Sequence, residues 1–315
     1  MTSLARYVIR RLVFAALLVF TVSSASLVLT RLAPGDFAML TLGVDARPEA
    51  LERARARYGL NRPIAEQYGD WLAHAVRLDF GESMQHGVPV GGMVRSAAAN
   101  TAILAVTALA AATLIGVPLG IVSGSRRGLV VDAIRAASAV AVSTPSLLTS
   151  LVLLVVAART GWFPVGNMRS AGESSVADLL WHLVVPATAL ALPIAATFER
   201  LQSRAMRDTI GQPYVLAAFA RGVPGSRVVW RDALKAALRP TLAVYGLVIG
   251  ALLSGSFAVE AVTSWPGLGQ LMLNALRARD VYLVAGCAAA GSLFLAFGTL
   301  VSDLALAAVD PRTHE

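Results

Sequence analysis

The sequence predicts an all-α polytopic membrane protein with six transmembrane helices. Three observations carry that expectation: bulk apolarity, six long charge-free runs, and basic residues gathered on alternate loops. The 315 residues are 56% hydrophobic and 15% charged, with a mean hydropathy of +0.66. An ordinary soluble domain is about 45–50% apolar and about 25% charged. So few polar side chains cannot cover this much apolar surface, which excludes a soluble enzyme.

A bilayer core about 30 Å thick needs roughly 20 apolar residues in a helix. A charge at mid-membrane costs about 3 kcal/mol, so charge-free length is a physical test of a span. Six runs meet it: Leu12–Thr30, Ser96–Ser125, Ala136–Ala158, Leu179–Phe198, Pro240–Val259 and Val281–Ser302. None alternates with period two, as barrel strands do. Arg10 and Arg11 precede the first run, which contains Ser23-Ser24-Ala25, in the manner of a signal peptide, but the run stays apolar to Leu29 and ends at Arg31-Leu32-Ala33-Pro34, a poor cleavage site. It is read as helix 1.

Orientation follows from arginines in the short loops. Arg6, Arg10 and Arg11 precede helix 1, and Arg126, Arg127 and Arg135 flank the helix 2–3 turn. The helix 4–5 segment carries Arg200, Arg204, Arg207, Arg221, Arg227, Arg231, Lys235 and Arg239. These regions share one side, which places both termini in the cytoplasm of a multi-pass cell-membrane protein. The loop Arg31–Arg95 holds eight arginines and eight acids and is long enough to escape the rule. The net charge of +8 is therefore a topology signal, and a nucleic-acid partner is excluded.

The expected organisation is a cytoplasmic N-terminus (1–11), helix 1 (12–30), an extracytoplasmic loop (31–95), a five-helix core (96–309) and a cytoplasmic tail (310–315). Within the outer loop, Glu49–Arg57 and Ile64–Val76 read as surface helices, the latter around Trp71. The loop is either a cap on the membrane or a docking surface. Within the inner segment 199–239, Gln212–Arg221 and Ser226–Arg239 read as two short helices separated by Gly222-Val223-Pro224-Gly225, with Ser226 able to cap the second. They form either a protrusion that a soluble partner grips or a basic loop lying on anionic lipid.

The run Tyr214-Val215-Leu216-Ala217-Ala218-Phe219-Ala220-Arg221-Gly222, followed by Leu238-Arg239-Pro240, resembles the EAA loop of binding-protein-dependent ABC importer permeases, and more narrowly those of the dipeptide, oligopeptide and nickel importers. The resemblance extends through Ala33-Pro34-Gly35-Asp36, Tyr58–Pro63 with Gln67, Tyr68 and Trp71, Asp79–Ser83, His182–Ala187 with Leu192-Pro193, Val259-Glu260, Ser264–Gly269, Arg279-Asp280, Asp303 and Asp310–Arg312. Leu216 stands where the motif carries glutamate, Phe219 where the peptide group is often basic, and Tyr282 where proline is expected.

The resemblance implies the type I ABC importer permease (MetI-like) fold and a subunit that forms half of a translocation pathway for peptides. It also implies a second homologous permease, two cytoplasmic ATPase domains and an extracytoplasmic substrate-binding protein. A nickel or other small-solute importer is the nearest alternative. ATPase coupling then falls to Tyr214, Ala217, Ala218, Phe219, Ala220, Arg221, Gly222 and Pro240. Extracytoplasmic docking falls to Trp71, Trp265, Pro266 and Gly267.

The residues themselves limit the chemistry. The only lysine, Lys235, has no glycine loop before it, so no Walker A site exists here. ATP and Mg are expected on partner subunits, and no cofactor on this chain. His74, His86, His182 and His314 lack metal-ligand spacing, His182 reading as an interfacial anchor beside Trp181. The single Cys287 lies in a small-residue run, and no nucleophile–base constellation is visible, so no catalytic or metal site is expected. Ser254 and Ser256 beside the helix 5 glycines, Glu260 at its outer end, and the Thr144-Pro145 kink are the candidates for the pathway and its gate; Pro193 is a second expected kink. An ion-coupled secondary transporter would instead show buried charges near mid-membrane, and none interrupts these runs.

Overall fold

The computed structural model describes residues 3–43, 46–173 and 175–309. Among them the order is α1 (Ser3–Leu32), α2 (Phe37–Leu42), α3 (Pro48–Arg57), α4 (Ile64–Ala75), α5 (Val90–Ser125), α6 (Leu129–Ser143), α7 (Ser146–Thr160), α8 (Val176–Ile210), α9 (Pro213–Ala220), α10 (Gly225–Arg227), a π-turn (Val228–Ala233), α11 (Leu234–Ala237), α12 (Arg239–Ala243), α13 (Tyr245–Thr263), α14 (Leu268–Ala278) and α15 (Val281–Val309). No strand occurs among the described residues. The expected tail, 310–315, lies outside them.

Five helices are long and apolar enough to cross a bilayer: Ile9–Leu32, Val90–Ser125, Val176–Ile210, Gly225–Leu253 and Val281–Val301. The sixth expected span is not one rod. It is the pair α6 and α7, bent by 104° at Thr144-Pro145. Proline lacks an N–H and pushes the preceding residue out of the helical region; Thr144 accordingly sits at φ −95°, ψ 118°. By contrast, α8 runs unbroken through Pro186 and Pro193, with the Thr197 hydroxyl donating to the Pro193 carbonyl at 2.9 Å.

The fifth span also departs from expectation. Helical structure begins at Gly225 with Pro224 in the cap position and no side-chain cap, so Ser226 lies inside the first turn and does not cap it. The segment then passes through a π-turn before α12, where Pro240 occupies the first turn, the place where a missing N–H loses no bond.

Two compact units divide the chain: Met1–Ala102 with Pro266–Ala296, and Ile103–Trp265 with Phe297–Glu315. The core of the first gathers Leu27, Phe37, Ala38, Leu60, Trp71, Met84, Val281 and Ala285. The outer-loop helices α2–α4 thus close over the end of α1, and the Ser24 and Tyr68 hydroxyls meet at 3.0 Å. Asp36 caps α2 through Met39 N–H at 2.8 Å and pairs with Arg55 at 2.7 Å. Burial alone would raise its carboxyl, yet these partners hold it below the ordinary carboxylate value.

In the second unit, α5 and α8 lie in backbone contact. Gly116, Gly120 and Gly124 recur every fourth residue on one face of α5. A Cβ on Gly116 would overlap the carbonyl oxygen of Ala195; one on Gly120 would lie 2.6 Å from Gln202 Cβ, and one on Gly124 2.6 Å from the Ser203 carbonyl oxygen. Small residues at this spacing let membrane helices approach closely. The seam also buries polar groups: the Ser123 hydroxyl donates to Glu199, and the Thr241 hydroxyl donates to Gln202 at 2.7 Å. Above it, Leu104, Ala108 and Ala112 of α5 pack with Leu183–Phe198 of α8, Val248, Leu252 and Val259 of α13, and Trp265.

Replacing Gly120 with leucine should abolish stable accumulation of the protein, and Gly120→Ala should cost about 1–3 kcal/mol through overpacking. Gly69→Ala, on α4 with open space beside it, should be neutral or stabilising by up to about 1 kcal/mol. Thermal unfolding in detergent, read beside membrane abundance, compares the three.

Candidate functional site: the helix after α8

The segment after α8 folds as its sequence dictates. Gln212 is extended at φ −73°, ψ 145°, and Pro213 opens α9 with its φ already helical. Seven residues without glycine follow. The helix stops at Gly222, whose φ of +78° favours glycine. There Gly222 N–H donates to the Phe219 carbonyl at 2.9 Å and Val223 N–H to the Ala218 carbonyl at 3.3 Å. No neighbour approaches where its Cβ would be, so glycine is needed here for conformation and not for space.

The eight residues of α9 divide into two faces. Val215 and Ala218 are buried, at 0% and 3% exposure, against Ala205 and Met206 of α8, Ile121 of α5, and Val228, Ala233 and Ala237. Tyr214, Leu216 and Phe219 are 51%, 52% and 40% exposed, with Ala217, Ala220 and Arg221 beside them. At about 100° per residue, Leu216 and Phe219 lie side by side on the exposed surface while Tyr214 lies on the other flank of the buried stripe. The Leu216 and Phe219 pair is the kind of apolar patch that marks a protein contact. Ala218 faces inward: it seats the helix and does not line its outer surface. Pro240 lies outside this cluster, in the first turn of α12.

The residues expected on the pathway separate. Thr144 and Pro145, at the broken span, line a cavity of about 500 Å³ together with Pro193, Val248 and Gly255. Ser256 and Glu260 are fully buried and do not line it; the Ser256 hydroxyl donates to the Leu253 carbonyl at 3.0 Å. The side chains of Ser254 and Asp303 lie outside the described residues.

The docking residues separate as well. Trp71 and Trp265 are 4% and 0% exposed and serve as core; Gly267 is buried too, and only Pro266 is exposed. The Pro266 carbonyl accepts from Asn100 Nδ2 at 2.8 Å, and Leu268 N–H donates to the Thr101 hydroxyl at 2.8 Å, pinning this turn to α5. His182 is buried, with Nδ1 at 2.9 Å from the Asp178 carbonyl oxygen. It is a satisfied packing histidine and not an interfacial anchor; Trp181 beside it is 50% exposed. Among the described residues, no His, Cys, Asp and Glu group could hold a metal.

Two motif segments far apart in sequence meet in the first unit. The buried Asp280 accepts from the Ser83 hydroxyl at 2.6 Å, from Gln85 N–H at 3.2 Å and from Leu283 N–H at 3.2 Å. Arg279 donates to the Pro34 carbonyl at 3.0 Å. Sequence reasoning missed this staple and the Gly116/Gly120/Gly124 seam. The seam had a readable signal in its four-residue spacing; the staple had none short of the fold.

A model of the binding-protein-dependent transport system inner membrane component matches residues 116–315, and a model of the N-terminal part of such a membrane component matches residues 4–107. The chain belongs to that family. It is therefore a multi-pass membrane component of a binding-protein-dependent ABC importer, whose members work with ATPase and binding-protein partners. It is 31% identical over 315 residues to the oligopeptide transport system permease protein AppB of Bacillus subtilis (strain 168), covering 98% of this chain and 99% of that one. It is 34% identical over 313 residues to a peptide permease protein of Brucella suis biovar 1 (strain 1330), covering 98% of each. To the glutathione transport system permease protein GsiC of Escherichia coli (strain K12) it is 31% identical over 307 residues, covering 97% of each.

The two faces of α9 separate seat from surface. Ala218→Trp should unseat the helix, and Ala217→Trp should leave it in place. Hydrogen exchange of residues 213–220 should rise at least tenfold in the first variant and stay unchanged in the second.

Proposed function

We propose that this permease pairs with a second, non-identical permease to enclose the pathway of an ATP-driven peptide importer, and that α9 is the element its ATPase grips. The observation that carries the coupling role is the division of α9 into a seated face, Val215 and Ala218, and an exposed side with Leu216 and Phe219, Tyr214 standing exposed on the other flank of the seat. A partner can drive a two-state transporter only by binding its conformations with different free energy. The grip must then be firm and its seat rigid. Aromatic and large apolar side chains supply the first. Packing of α9 on α8, a helix of 35 residues and so about 52 Å long, supplies the second.

The relatives named above, oligopeptide, peptide and glutathione permeases, support peptides over nickel as cargo. With no phosphate-binding loop in the sequence, ATP and Mg belong to two ATPase domains on other chains, and substrate delivery belongs to an extracytoplasmic binding protein. The arginine distribution supports cytoplasmic termini and a cytoplasmic α9. The cavity lined by Thr144 and Pro145 is the part of this chain offered to the pathway.

Leu216→Asp and Phe219→Ala should each weaken ATPase retention by about 30-fold, equivalent to about 2 kcal/mol, and reduce uptake in step at unchanged membrane abundance. Normal ATPase recovery with normal uptake would place coupling elsewhere. For orientation, single cysteines replacing Glu66 and Gln212 in a Cys287→Ala background should differ in intact cells: an impermeant reagent labels the first and spares the second. Labelling of position 212 alone would invert the topology.

A further inference from the structure

The turn between α5 and α6 opens a cavity of about 620 Å³ whose walls carry Arg126, Arg127, Arg135 and Arg207 against a single carboxylate, Asp132. These arginines are poorly neutralised. The one ion pair at this cavity among the described residues, Arg135 with Asp132, is long at 3.7 Å and well exposed. Arg207 gives one N–H to the Ser203 hydroxyl at 2.8 Å, and Arg135 gives one to the Ser123 carbonyl at 2.7 Å. Arg135 Nε is buried with no acceptor among the described residues.

The same cavity contains the start of α6. Gly128 caps that 15-residue helix at φ 125° with no side chain to offer its first-turn amides. Those donors, with the positive end of the helix dipole, add to the affinity for an anion. Next in the chain after Gly128, and outside the cavity wall, Leu129 and Val130 are 88% and 73% exposed. Positive charge that gives way within two residues to bare apolar side chains has the polarity profile of a phospholipid at a membrane interface. A free anion would make no use of the second half, and basic pockets at helix ends are suited to anionic headgroups.

We propose that this cavity binds the phosphate headgroup of an anionic phospholipid, with the glycerol and upper acyl chains lying against Leu129 and Val130. The walls carry a surplus of three positive charges, which attract the phosphodiester of either lipid class but repel the ammonium that a zwitterionic headgroup adds, so the site selects anionic over zwitterionic lipid. Leu216 of α9 lines the same cavity, which places the lipid beside that helix. The site does not depend on α9 being the ATPase contact.

The test uses the assembled importer, purified and titrated with phosphatidylglycerol or phosphatidylcholine while retained lipid is counted by native mass spectrometry. Arg126 and Arg127 are exposed, so R126Q/R127Q leaves the fold intact. At about fivefold per arginine, phosphatidylglycerol should bind about 25-fold more weakly to that variant and about fivefold more weakly to R207Q. Phosphatidylcholine should be unaffected in both, and millimolar inorganic phosphate should not displace the lipid. Unchanged phosphatidylglycerol retention in R126Q/R127Q would overturn the proposal. So would one-for-one displacement by inorganic phosphate, which marks a free-anion site, or loss of the ATPase with lipid retention unchanged, which marks a protein contact.

Discussion

The close approach of α5 to α8 is the constraint on which the second unit rests. Between membrane helices the hydrophobic effect contributes little, so association relies on packing and on hydrogen bonds. The glycines at 116, 120 and 124 remove the side chains that would hold the backbones apart. Ser123, Glu199, Gln202 and Thr241 then find partners inside the seam. Each element further along α8 inherits its position from this contact.

One of those elements is α9. It rests on Ala205 and Met206 of α8 and on Ile121 of α5, at the same end of the seam as Gly124. A displacement of α9 therefore meets two helices already locked together and is passed to both. After the glycine turn at Gly222 the chain folds back, and Val228 and Ala233 of the π-turn join the same core beneath α9. The helix is thus seated on the chain that follows it as well as on the helix that precedes it.

Much of this was readable from residue order. Charge-free length picked out four continuous apolar helices, α1, α5, α8 and α15, because a buried charge is expensive and apolar length is fixed by the bilayer; the third and fifth runs proved broken or shifted. Pro213 and Gly222 bounded α9, since each restricts or frees one dihedral in a known way. Glu49–Arg57 and Ile64–Val76 emerged within a residue or so as α3 and α4. What stayed hidden was direction. Ala218, Trp71 and Trp265 look like surface residues in a motif, yet which face of an element is covered depends on neighbours distant in sequence. The bend at Thr144-Pro145 had a visible cause, but its 104° is set by packing. Ser83 and Asp280, 197 positions apart, share a bond that no local pattern announces.

The broken span has a consequence for the bilayer itself. Each arm has 15 residues and so measures about 22 Å, short of the roughly 30 Å hydrocarbon thickness. At the corner the Ala141 carbonyl, which Pro145 has no N–H to serve, accepts from Thr144 N–H, and the Thr144 and Ser143 hydroxyls donate to the Val140 and Ala139 carbonyls. Hydrocarbon cannot solvate stranded backbone groups. By supplying these bonds itself, the corner lets two short arms stand in for one span without leaving those carbonyls bare.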